Sequence, residues 1–138
     1  MKNKWLFITV VFFTIFIIKA FLNIAENGNA GMKNLNEMMS LAEEMDKITP
    51  KPLRKNNNNK IMPGRYVVER YYEKSAIDLD EQEKIKNLLI QHQWIGGGSL
   101  FCKDGIQLSI EDAGIYLNGV PAIYYGFISD INGTKCNK

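Results

Sequence analysis

The chain has 138 residues, 46% of them hydrophobic, with 17 basic against 15 acidic side chains and a formal net charge of +2. The basic excess lies in residues 1–64, while residues 65–138 hold eight basic against ten acidic groups. The distal part therefore lacks the basic face that neutralising phosphates requires, which argues against nucleic-acid binding.

Trp5 to Ala25, WLFITVVFFTIFIIKAFLNIA, follows Lys2 and Lys4. At about 1.5 Å per residue, this stretch reaches roughly 31 Å as a helix, enough to cross a hydrocarbon core. Lys19 then lies toward the far end, where its stem reaches the headgroups. The basic start predicts a single-pass anchor in the cytoplasmic membrane, N-terminus inside and the remainder outside. The alternative is a signal peptide cleaved before Gly31, after Gly28-Asn29-Ala30, giving a secreted or periplasmic protein.

Residues 26–34 are polar and read as a loop. Leu35, Met38, Met39, Ala42 and Met45 then recur at helical spacing, and Asn34 with Glu37 resembles a capping box. A short amphipathic helix is expected to end near Ile48. Its Met stripe either packs on the protein's own domain or takes a partner by repacking. Residues 49–64, with three prolines and a run of four asparagines, read as a linker.

From Arg65 the composition changes. RYVVERYYEK, residues 65–74, reads as a strand with two mixed faces. Asp78 to Glu81 opens a helix, since either aspartate can cap it and acids suit the first turn. Its stripe comprises Leu79, Ile85, Leu88, Leu89, His92 and Ile95, and Gly96–Gly98 is expected to end it. Asp104-Gly105 and Asn118-Gly119 are two-residue turn signals, and each joins two short strands into a hairpin. Pro121 suggests an edge or a bulge at the start of the last strand, and Gly126 a bulge or a close backbone approach.

The expected organisation is therefore an anchor or signal peptide (1–25), a polar loop and short helix (26–48), a linker (49–64) and a small extracytoplasmic α+β domain (65–138). That domain is predicted as two layers, one helix on an antiparallel sheet, in the order β-α-β-β-β-β.

Cys102 and Cys136 allow one intramolecular disulfide, which an extracytoplasmic compartment permits. His92 is the only histidine. No carboxylate stands at ligand spacing with it on the helix, so no metal site and no cofactor are expected. A Cys102–His92 nucleophile–base pair is the alternative use of the thiol. Gly96–Gly98 precedes a strand, so it lacks the helix N-terminus that cradles phosphate. Asn132-Gly133-Thr134 is a glycosylation acceptor in a eukaryotic secretory setting.

Tyr71, Tyr72, Tyr124 and Tyr125 stand out as a candidate partner surface, because one sheet face is left without a helix. The functional expectation is a membrane-anchored, non-enzymatic protein-binding module, with contacts to the membrane through residues 5–25 and to another protein. It serves an envelope complex as an accessory subunit, or acts as an inhibitor or immunity-type protein. No small-molecule ligand is evident. The alternative is a small anchored or secreted hydrolase using His92 with Cys102 or an acid.

Overall fold

A computed structural model describes the backbone of residues 2–62, 65–130 and 136. The chain divides into two compact units, Met1–Ala30 and Gly31–Lys138. The Asn132-Gly133-Thr134 acceptor lies outside the described residues.

Helix α1 spans Lys2–Ile48. In the first unit its side chains from Ile8 to Glu26 are solvent-facing, including Phe12, Phe13, Phe16 and Phe21. A helix apolar on all sides is what a lipid environment selects. By length and composition this segment is able to cross a membrane, as an anchor or as a signal sequence.

The expected loop at 26–34 is helical instead. There is no proline before Pro50, and glycine weakens a helix without breaking it. Gly31 has a packing reason: a Cβ there would come within 2.8 Å of the Tyr66 ring. Asn34 is therefore not a cap; its Nδ2 donates to the buried Ser129 Oγ at 2.9 Å.

The second unit is an α+β domain with a seven-stranded antiparallel sheet. In chain order, β1 is Arg54–Met62, β2 Arg65–Glu73, helix α2 Leu79–Gln91, β3 Ile95–Gly97, β4 Leu100–Lys103, β5 Ile106–Glu111, β6 Tyr116–Leu117 and β7 Val120–Asp130. The sheet order is β1-β2-β7-β5-β4-β3, with β6 paired to β7.

The Asn-rich stretch expected to be a linker thus contributes edge strand β1, and with β3 the observed element order gains two strands. Its support is polar. Asn56 Nδ2 donates to Glu69 Oε2 at 2.8 Å, and Arg70 Nη1 donates to Asn57 Oδ1 at 2.7 Å. Two register shifts interrupt its pairing with β2, which explains why no alternation appears in the sequence.

Every sheet residue in the core cluster lies on one face: Val68 and Tyr72 of β2, Phe101 of β4, Ile106 and Leu108 of β5, and Ile123, Tyr125 and Phe127 of β7. Two helical segments cover that face, not one. Leu35, Met38, Leu41, Ala42 and Met45 come from α1, and Ile85 and Leu89 from α2. The Met stripe therefore packs on the protein's own domain. Each such side chain contributes on the order of 2 kcal/mol when fully buried.

Asp78 caps α2, its Oδ1 accepting from the Glu81 backbone N–H at 2.9 Å. The helix ends earlier than expected. Gln93 takes the left-handed conformation (φ 63°), and Ile95–Gly97 is already strand. Ile95 and Leu79, expected on the buried stripe, are 79% and 80% exposed. Both hairpin turns form, with positive φ at Asp104 and Gly105 and at Asn118 and Gly119, as their geometry demands.

Candidate functional site

The four candidate tyrosines divide between the two sheet faces. In register, Tyr71 faces Tyr124, while Tyr72 faces Ile123 and Tyr125 faces Arg70. Alternation along a strand sends neighbours to opposite sides, so adjacent tyrosines cannot share a surface. Tyr72 and Tyr125 are core residues, at 0% and 2% exposure, with rings edge-to-face at 5.7 Å. They are removed from the expected partner surface.

Tyr71 and Tyr124 lie on the face away from the helices, half-buried, with ring centroids 5.1 Å apart. Gly126 makes room for this pair. Its pairing with Glu69 and Ser109 is unbroken, so it marks no bulge. Instead the Tyr124 ring lies over it, in the space a Cβ would occupy. Tyr124 then donates to Glu69 Oε1 at 3.3 Å. The Arg54 guanidinium sits 5.8 Å from the Tyr71 ring centroid, within cation–π range. Burial, and next the Glu69 carboxylate, raise the pKa of both phenols, so both stay neutral donors.

Cys102 and Cys136 form the disulfide. Cys102 is therefore no nucleophile, and the thiol version of a hydrolase site has no thiol. His92 follows the end of α2, and its Nε2 lies 2.9 Å from Glu44 Oε2 of α1. That contact ties the two helical segments together. Among the described residues no group of three His, Cys, Asp or Glu side chains is placed to hold a metal ion.

Two features were not anticipated from the sequence. The first is a buried ionic cluster. Asp46 of α1 accepts from Arg70 Nε at 3.0 Å and from the Tyr72 hydroxyl at 3.0 Å, and pairs with Lys55 Nζ at 2.8 Å. It joins α1, β1 and β2 at a single carboxylate.

The second is a cavity of about 640 Å³ between α2 and the β3 end of the sheet, within the size range of ligand sites. Ile85, Leu89, Phe101, Ile110, Ile123 and Tyr125 give it an apolar lining. Gln82, Lys86 and Asp112 bring polar groups to it, and Gly96–Gly98 forms one wall without side chains. The Tyr125 side chain, only 2% exposed, also lines it. Burial alone pushes its pKa up to about 12. The Gly-Gly-Gly run was the available signal, since a strand without side chains beside a helix leaves space between them.

Comparison with protein-family models, with curated proteins and with solved structures finds no match for this chain.

Proposed function

We propose that the protein is a membrane-anchored, extracytoplasmic protein-binding module, serving an envelope complex as an accessory subunit or neutralising a toxin as an immunity-type protein. The N-terminus is inside, and residues 31–138 are presented outside. The observation that carries the reading is the Tyr71–Tyr124 pair on the helix-free sheet face, flanked by Glu69 and Arg54. Tyrosine and arginine are enriched at protein interfaces, where a large apolar body meets a polar tip. The disulfide agrees with an oxidising compartment, and the apolar segment of α1 agrees with an anchor.

The test is crosslinking of the full-length protein in its native membranes, followed by pull-down and mass spectrometry. The expected result is one stoichiometric protein partner, with its recovery reduced about tenfold by Tyr71→Ala combined with Tyr124→Ala, a loss of about 1.4 kcal/mol. Recovery of the bait alone overturns the reading.

A further inference from the structure

The two edges of the sheet are built differently. β1 carries Arg54 and Lys55 and two register shifts, the devices that keep an edge from pairing with another chain. β3, Ile-Gly-Gly, has no charge, no proline and an unbroken register with β4. It pairs with no second strand among the described residues. All three of its residues are exposed, and a Cβ at Gly97 would meet nothing within 4 Å. An edge this bare is approachable by another backbone, and its unpaired N–H and C=O groups are chemically complementary to one.

The cavity lies beside this same edge, between it and α2. Gly96 is paired with Phe101, whose side chain lines the cavity. A residue added opposite Gly96 on the outer side would direct its side chain to the cavity face, because directly opposed residues share a face. Its neighbours would point to the other face, beside Ile95. Tyr125, only 2% exposed, brings a hydroxyl-bearing side chain to a lining that joins apolar Ile85, Leu89, Phe101 and Ile123 to polar Gln82, Lys86 and Asp112.

We propose that the β3 edge and the cavity bind an extended segment of a partner protein, which adds a strand beside β3 and places a Tyr or Trp side chain in the cavity. The apolar lining takes the ring, and the Tyr125 hydroxyl meets the ring's polar tip. The flanking residues of the segment pack against Ile95. This inference rests on the protein-binding reading and adds the form of the partner and a second contact surface.

The experiment uses the full-length protein in its native membranes, with a photo-crosslinking benzoylphenylalanine in place of Ile95 or, separately, of Tyr71. Crosslinked segments are sequenced by mass spectrometry. The expected result is that the probe at 95 labels a partner segment with a Tyr or Trp adjacent to the labelled position. Partner recovery from the unprobed protein should fall about tenfold on Ile95→Lys, which adds an edge-blocking charge at an exposed position, and severalfold on Tyr125→Phe, which keeps the apolar packing. If the probe at 71 labels a partner while the probe at 95 does not, or if both variants retain the partner undiminished, the strand-addition proposal is overturned and the protein-binding reading stands. If neither probe labels a protein, both are overturned.

Discussion

Asp46 is the residue whose removal should damage this fold most per atom deleted. Its side chain is 8% exposed and that of Arg70 is 1% exposed. Among the described residues Arg70 contacts no other carboxylate; its remaining acceptors are the Asn57 amide oxygen and the Glu69 carbonyl. Asp46→Ala therefore leaves a guanidinium buried with neutral partners only. Breaking a buried pair in this way costs about 3–5 kcal/mol, against a total stability on the order of 5–15 kcal/mol. In urea, with a slope of about 1.5 kcal/mol/M, the unfolding midpoint should drop by about 2–3 M. The assay is urea unfolding of the full-length chain in detergent micelles, followed by near-ultraviolet circular dichroism. Arg70→Met should be milder, because Asp46 then keeps Lys55, which is 49% exposed, and the Tyr72 hydroxyl. Replacing both, Asp46→Leu with Arg70→Met, should recover much of the loss, since an apolar pair needs no desolvation of charge. A midpoint shift for Asp46→Ala below about 0.5 M would refute the reasoning, because that is the size expected of a solvent-screened surface pair.

Reducing the Cys102–Cys136 disulfide, which closes a sequence separation of 34 residues, should cost roughly 4 kcal/mol in the chain-entropy account, read as a lower thermal midpoint in reductant. An unchanged midpoint would mean that the link does not constrain the unfolded chain. Alkaline pH should destabilise the domain through Tyr125. Its folded pKa is raised to about 12, so its contribution is fully present below the unfolded value of about 10 and is lost as pH rises from 10 through 12. The difference in phenolate absorbance between the native protein and Tyr125→Phe should appear near pH 12; a step near pH 10 would contradict the burial. Gly126→Ala places a methyl where the Tyr124 ring lies, and should cost about 1–3 kcal/mol while displacing that ring. Loss of the Tyr71–Tyr124 contact in nuclear magnetic resonance spectra is the readout.

What was readable from the sequence is what short-range chemistry specifies. Asp104-Gly105 and Asn118-Gly119 form their turns because positive φ is demanded within two residues. Asp78 caps α2 through a bond three residues long. The paired tyrosines were the part of the candidate surface visible in advance, but their division between faces was not. Tyr71-Tyr72 and Tyr124-Tyr125 each read as one cluster until alternation and register are applied together, and register between β2 and β7 is a long-range property. The Cys102–Cys136 disulfide was legible because two cysteines allow a single pairing, whereas His92 looked like candidate chemistry because its partner, Glu44, is far away in sequence.

The larger misses share one cause. β1 lacks apolar alternation because it is an edge held by Asn56, Asn57 and Lys55 to Glu69, Arg70 and Asp46. A strand stabilised by polar cross-contacts carries the same composition as a solvated linker, and only the partners distinguish them. The opposite error occurred at β3. Gly96–Gly98 looked like a helix stop, yet the stop is Gln93, and the glycines instead form a bare edge beside the cavity. Polar residues mark the protected edge and missing side chains mark the open one. The stretches that local propensity describes worst are thus the two borders of the sheet, where one side of the strand has no ladder partner among the described residues.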